Sequence, residues 1–392
     1  MLAICSDLDE TPDRHAYGSV MQFLNSRNVG PLGAGVGLEV GNSIYFDMPP
    51  DQFSYWNTDD HGRAMIRSLI KSGHVDCLHS FGDLATDREH AGRALDDLTK
   101  HNCRLAVWID HAVAPSNFGS DIMRGFGDVC GHRAYHADLS ISYGIRYVWR
   151  GRVTSVIGQD RPSTLKGVWN GRHPAASFRT LAKEGAKLAL SRNGRSRYQM
   201  HGSNRVARPA HLRNGTAVIE FLRCNPHWGG VSRCDTADGI ADVLTTSFLD
   251  RLVQRRSCCV LYTHLGKRRR RDGEGVLGTA ALDCFRQLAE RQSSGDVLIT
   301  TTRRLLDYCH TRDQLRLSES KREHRLCFDL SLPDTCQQSE LLHGITLYTD
   351  AADKTDVYLN GSHLPGIVCN AADETGRPSV SIRWPALEFP QF

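Results

Sequence analysis

Over residues 1–310, short apolar runs alternate with segments whose apolar positions recur every three to four residues, the pattern of strands followed by helices. Residues 2–5 read as a buried strand, and residues 15–28 as an amphipathic helix with Val20, Met21 and Leu24 on its apolar side. Residues 43–48 make a second strand. A helix over 61–72 stops at Gly73, and a short buried strand then ends in His79, with Asp83 four residues on. The rhythm continues with a helix over 89–101 (Ala91, Ala94, Leu95 and Leu98 inward), a strand over 104–109, strand-like pieces over 128–141 and 145–150, and a strand over 217–222. A helix over 241–254, a strand over 258–262, a helix over 280–291, a strand over 296–300 and a closing helix from Thr302 complete it. From about Ser318 the period falls to two, with short strands over 325–332, 344–348, 356–359 and 379–384 and turns such as Asn360-Gly361. The expectation is an α/β fold, a distorted (β/α)7-type barrel over 1–315, with a small β-sandwich-like module over 316–392.

In a parallel β/α barrel the loops after the strands share one mouth, so polar residues at strand ends are the candidates for chemistry. Asp7, Asp9 and Glu10 follow the first strand. Like charges crowded in a partly desolvated cleft raise one another's pKa, and a metal ion relieves this; the plainer reading is a solvated loop in which Asp9 or Thr11 caps the next helix. His79 and Asp83 fall on one side of the chain if the loop between them makes a helical turn, close enough to share a divalent ion. Asp110, His111 and Asn117 follow the next strand, His227 and Trp228 follow the strand over 217–222, and His264 follows the strand over 258–262. Phe53, Tyr55 and Trp56 offer either a sugar-stacking wall or packing beneath a loop. The glycines between Gly30 and Gly41 lack the Lys-Ser/Thr ending of a phosphate loop and read as a loop or hairpin.

Charge changes this picture in one place. The 392 residues carry a formal +4, too little for a chain matched as a whole to nucleic acid. Residues 146–213, however, hold twelve Arg and three Lys against Asp160 and Glu184 alone, an excess of 13 positive charges. This is either a surface insertion or a basic lip for an anionic glycan, a sugar nucleotide or a lipid diphosphate; RNA is the poorer match, because aromatic residues for base stacking are few. Thirteen cysteines with no C-x-x-C pair suit reduced thiols. With no signal-type start and no apolar run of membrane-spanning length, a cytoplasmic protein, monomeric or oligomeric, is expected.

The order of these parts resembles the NodB-homology domain, the polysaccharide deacetylases of carbohydrate esterase family four. Residues 70–83, Ile-Lys-Ser-Gly-His-Val-Asp-Cys-Leu-His-Ser-Phe-Gly-Asp, are similar to that family's helix, Gly-His, strand and His-Ser/Thr-x-x-His/Asp metal motif. Ser6-Asp7-Leu8-Asp9 looks like a variant of its first motif, whose aspartates are usually adjacent, and Leu261-Tyr262-Thr263-His264 resembles its last. Asp110 to Asn117 stand where the family's Arg-Pro-Pro-Gly type motif is expected. The resemblance implies that Asp9, His79 and Asp83 hold a divalent metal, zinc by type. It further implies that Asp7 is general base, that His264 is general acid, and that Asp110, His111, Asn117 and Glu10 lie toward a carbohydrate substrate from which an acetyl group is removed. Two other readings remain from the residues. One is a glycoside hydrolase on a related barrel, pairing Glu10 or Asp7 with Asp110; the other is a glycan-binding relative without catalysis.

Overall fold

The structure, a computed structural model, describes residues 1–8, 10–162, 169, 171, 174–195, 198–226, 236–267, 276–333 and 339–392. The first apolar runs form β1 (Leu2–Ser6), β2 (Gly41–Ile44), β3 (Val75–His79) and β4 (Val107–Ile109), buried at every position. They are followed by β5 (Tyr147–Trp149), β6 (Val153–Thr154), β7 (Ala207–His211), β8 (Ala217–Phe221), β9 (Arg223–Cys224), β10 (Cys259–Thr263) and β11 (Ile299–Thr300). Burial of both faces is what near-continuous apolar runs without alternation require, and it suits a parallel sheet covered by helices. The sheet runs β6-β9-β10-β1-β2-β3-β4-β5-β8-β7, and every pair in it is parallel except β8 with β7. β1 meets β10 along its whole length. Its other edge is shared, with β11 beside Leu2 and Ala3 and β2 beside Cys5 and Ser6. The result is a curled, half-barrel parallel sheet, an α/β architecture of barrel type.

The helices α1 (Arg14–Asn25), α2 (Asp60–Lys71) and α3 (Arg88–Lys100) begin at Asp13, Asp59 and Asp87, whose carboxylates accept first-turn N–H groups. α1 ends three residues sooner than its apolar periodicity predicts, at the extended Ser26. The glycine-dense segment contains a short hairpin, Val29–Gly30 against Gly33–Ala34. Residues 128–141, read as strand-like, instead form turns and a helix, α4 (Ala137–Tyr143). The polar groups there have partners: His136 bonds Ser140 Oγ at 2.8 Å and the Ser116 carbonyl at 2.7 Å, and Asp138 accepts from Arg88. The basic stretch is more than a surface insertion, since it supplies β5, β6 and β7 as well as the helix α5 (Pro174–Arg192).

Two compact units make up the chain, Met1–Leu305 with Leu387–Phe392, and Leu306–Ala386. Within the second unit, Arg316–Arg322, Arg325–Ser331, Thr355–Leu359 and Ser362–His363 form one small sheet; Thr346–Tyr348, Ser379–Ile382 and Ile367–Asn370 form another. Phe328, Leu330, Leu342, Val357 and Val380 are buried in its core. No helix among the described residues is long and apolar enough to cross a membrane.

Candidate functional site

Parallel strands place their carboxyl ends at one rim, and there the first unit gathers its ionisable groups. Asp7 follows β1 directly and is fully buried, with its backbone N–H donating to the Thr263 carbonyl at 3.0 Å. Its Oδ2 lies 3.0 Å from Arg223 Nη1, 3.3 Å from His79 Nε2 and 3.7 Å from His264 Nε2; its Oδ1 accepts from Ser43 Oγ at 3.0 Å. Burial alone would push this carboxyl up. Arg223, then His79 and His264, outweigh it and hold Asp7 well below the usual carboxylate range.

Arg223 begins β9 and is itself fully buried. Its guanidinium lies over the Trp149 ring at 4.2 Å and the Tyr262 ring at 4.7 Å, and Nη2 contacts Cys5 Sγ at 2.9 Å. Aromatic faces and a carboxylate together replace the water that such a cation loses. Burial would raise the Cys5 thiol, but Cys77 and then Arg223 draw it below its ordinary value.

The His79 and Asp83 arrangement differs from the sequence expectation. α2 ends in a Schellman motif: the N–H of His74 reaches the Leu69 carbonyl, that of Gly73 reaches Ile70, and Gly73 takes φ +84°. β3 then carries His79 to the rim, where its buried ring stacks on Tyr45 at 4.5 Å. No helical turn follows. Ser80 and Gly82 have φ of +43° and +108°, and the Phe81 carbonyl accepts from both Phe46 and Asp47 N–H. Asp83 therefore pairs with His111, whose Nε2 is 3.3 Å from its Oδ1. The His111 Nδ1 is 2.9 Å from the Tyr45 hydroxyl, and the His79 and His111 rings are 5.0 Å apart. The hydrogen bond from His111 holds Asp83 below its ordinary value.

Asp9 lies outside the described residues, as do His227 and Trp228. Two imidazoles and a carboxylate, from His79, His111 and Asp83, are donors of the type a zinc-like ion takes. Among the described residues, however, these three do not bring one ligand atom each within 4.8 Å of one another, although Asp83 and His111 meet at 3.3 Å. His264, after β10, lies 3.3 Å by Nε2 from the Tyr262 hydroxyl and completes the ring around Asp7.

The other expected residues have different work. Both oxygens of the buried Asp110 are occupied: Oδ1 accepts from Trp108 Nε1 at 2.7 Å and Phe118 N–H at 2.8 Å, and Oδ2 from Gly119 N–H at 2.8 Å. It braces the loop that carries Phe118 and Gly119. Burial pushes it up to about 7, against these donors. Asn117 is also buried and clasps the His111 backbone, accepting its N–H at 2.9 Å and donating to its carbonyl at 2.8 Å. Glu10 is exposed and pairs with Lys267 at 3.0 Å. Of the carboxylates in the glycosidase pairing, Asp110 is thus enclosed in its loop and Glu10 is exposed in an ion pair, while Asp7 is buried at the rim. Phe53 and Tyr55 are buried beneath the rim in contact with Tyr17 and Phe46, so they pack there and build no open wall.

Four arginines of the basic stretch meet buried carboxylates outside it. Glu220, buried on β8, receives Arg150 at 3.0 Å, Arg152 at 3.3 Å and Arg208 at 3.0 Å; Arg213 pairs with the buried Asp128. Sequence reasoning passed over Arg223, Tyr45, Tyr262 and Ser43. Arg223 had a signal, since a lone arginine closing an apolar run and followed by Cys224 needs a buried carboxylate. The aromatic residues had none, because nothing local distinguishes a ring at a rim from one in a core. No family model, curated protein or solved structure matches this chain.

Proposed function

We propose that the first unit is a deacetylase-type hydrolase that removes an acetyl group from an amino sugar or glycan with the help of a bound divalent ion, zinc by type. The observation that carries this reading is Asp7 Oδ2, a buried carboxylate oxygen whose pKa Arg223 and the histidines hold well below the usual range, facing two histidines at the carboxyl rim of a parallel sheet. His79 and Asp83 supply donors of the kind that would hold the ion, and Asp9 is the third candidate by sequence. Such an ion polarises an acyl carbonyl and acidifies a bound water.

The protein's own groups divide the proton traffic. Asp7 takes the proton of the attacking water as the water oxygen bonds to the acyl carbon. His264 gives a proton to the amide nitrogen as the C–N bond breaks, leaving acetate and a free amine. At 3.7 Å from Asp7 Oδ2, its Nε2 lies where the two residues can return to their starting protonation states together. Arg223 positions Asp7 and keeps it charged. Tyr45 fixes the tautomer of His111, whose Nε2–H then holds Asp83 in orientation.

The test is metal analysis of the purified protein, combined with acetate release against new reducing ends on N-acetylated oligosaccharides. Expected are one divalent ion per chain, lost in the His79→Ala, Asp83→Ala double variant, and acetate without reducing ends. Reducing ends without acetate would make the protein a glycosidase. Full acetate release by His264→Ala would remove that residue from the acid role.

A further inference from the structure

Tyr262 belongs to the rim but has no part in the proton traffic proposed above. Residues two apart on a strand point to one face, so Tyr262 on β10 and His264 just beyond it share a face. Sheet register fixes their backbones. Cys5 lies opposite Tyr262, Ser6 lies opposite Thr263, and the Asp7 N–H donates to the Thr263 carbonyl at 3.0 Å. What the sheet leaves open is the rotation of the buried His264 imidazole.

Two oxygens meet His264 Nε2. The Tyr262 hydroxyl is 3.3 Å away, within hydrogen-bond reach, and Asp7 Oδ2 is 3.7 Å away, beyond it. An ionised carboxylate has no hydrogen to give, whereas a phenol oxygen can accept one. These neighbours therefore favour the imidazole proton on Nε2, directed at Tyr262. The Tyr262 ring meets the imidazole edge-on, with centroids 4.9 Å apart and planes at 79°. That ring is held in turn. It stacks on Trp149 at 5.5 Å and lies 4.7 Å from the Arg223 guanidinium, which grips Asp7 Oδ2 at 3.0 Å. One side chain thus touches both the cation that keeps Asp7 ionised and the imidazole beside it.

The geometry points to Tyr262 as a positioning residue, whose hydroxyl takes His264 Nε2–H and holds the imidazole off Asp7 Oδ2. Opposite charge would otherwise draw a protonated imidazole onto the carboxylate, and a closed pair would occupy base and acid at once. Held apart, Asp7 stays free to face water and His264 to face the amide nitrogen. This purpose rests on the roles proposed for Asp7 and His264, but the separation is a property of the resting protein and is read without substrate.

The experiment compares the full chain with Tyr262→Phe, which keeps the ring beside Arg223 and removes the hydroxyl. In ¹⁵N-histidine NMR, read through the carbon-bound ring protons and assigned with His264→Gln, the neutral wild-type ring is expected to carry its proton on Nε2. Crystal structures are expected to show Nε2 closing on Asp7 Oδ2 to about 2.7–3.2 Å in Tyr262→Phe. Acetate release by that variant is expected to fall about 10–100-fold in kcat with KM unchanged. Tyr262→Leu, which also withdraws the ring from Arg223, lowers the urea unfolding midpoint as well, whereas Tyr262→Phe stays near wild type. A proton on Nδ1, an unchanged Nε2 to Oδ2 distance in Tyr262→Phe, or full acetate release by that variant overturns the inference. So does a loss of stability in Tyr262→Phe as large as in Tyr262→Leu. Wild type that releases no acetate sinks the hydrolase reading alone, because the proton position and the distance still decide the separation.

Discussion

At the scale of the residue, the pair of Asp7 and Arg223 concentrates both the stability and the chemistry of the rim. Both side chains are fully buried, so removing one strands the other's charge. Arg223→Leu is expected to cost about 3–5 kcal/mol in urea unfolding, and a partial recovery in Arg223→Leu, Asp7→Asn is the sign that stranded charge is the cause. Acetate release by Asp7→Asn should fall roughly 10²–10⁴-fold. The sign of the pH effect follows from the direction of its shift. Because the folded-state pKa of Asp7 is depressed, its contribution is present above the unfolded value near pH 4 and lost as pH falls through the folded one. The stability gap between wild type and Asp7→Asn should therefore stay constant from about pH 7 to 5 and shrink below about pH 4. Asp110 behaves otherwise. Asp110→Asn keeps one acceptor oxygen where two served three N–H groups, so it should lose about 1–3 kcal/mol of stability, a cost that belongs to the loop it braces and not to proton transfer.

At the scale of the element, the turn after β3 decides what His79 and Asp83 do. A Cβ on Gly82 would lie 2.0 Å from the Asp47 carbonyl oxygen, and the backbone there has φ +108°. Gly82→Ala should cost more than about 1 kcal/mol and lower acetate release by moving Asp83, whereas Leu84→Ala, two residues on at an exposed position, should do neither. The sequence made β3 and α2 legible because five buried positions follow a Gly73 stop, and local signals sufficed for both. The turn was not legible. A His and an Asp four apart suit a helical turn equally well, and only the hydrogen bonds of Phe81 to the Phe46 and Asp47 backbone choose the left-handed alternative. The same holds for Arg223, which lies 216 residues from Asp7, so their pairing depends on the order β9-β10-β1 in the sheet. Glu220 likewise reads as one polar position in an apolar strand until β7 and the β5–β6 segment bring three arginines to it.

At the scale of the whole molecule, the chain leaves its first unit at Leu305, builds the second, and returns for its last six residues. That return is tied to the first unit by particular contacts. Glu39 accepts the Leu387 N–H at 2.9 Å, bonds Thr300 Oγ1 at 3.2 Å and pairs with Arg304, so one half-buried carboxylate joins the tail to the β11 end of the sheet. Phe389 packs against the main core and meets the His74 ring edge-on at 5.3 Å. His74 is buried at the start of β3, and burial holds its pKa down to about 4, so it stays neutral beneath that ring at physiological pH. Removing residues 387–392 therefore takes apolar cover from the strand that carries His79, although the tail contributes nothing to the rim itself. The expected loss is about 1–2 kcal/mol from the uncovered aromatic and aliphatic surface. In scanning calorimetry it should appear as a drop of a few degrees in the transition of the first unit, while the transition of Leu306–Ala386, whose core residues all lie within its own sheets and turns, stays where it was. Phe389→Ala should reproduce most of the drop, and a tail deletion that leaves the first transition unmoved would show that Glu39 and His74 are held without it.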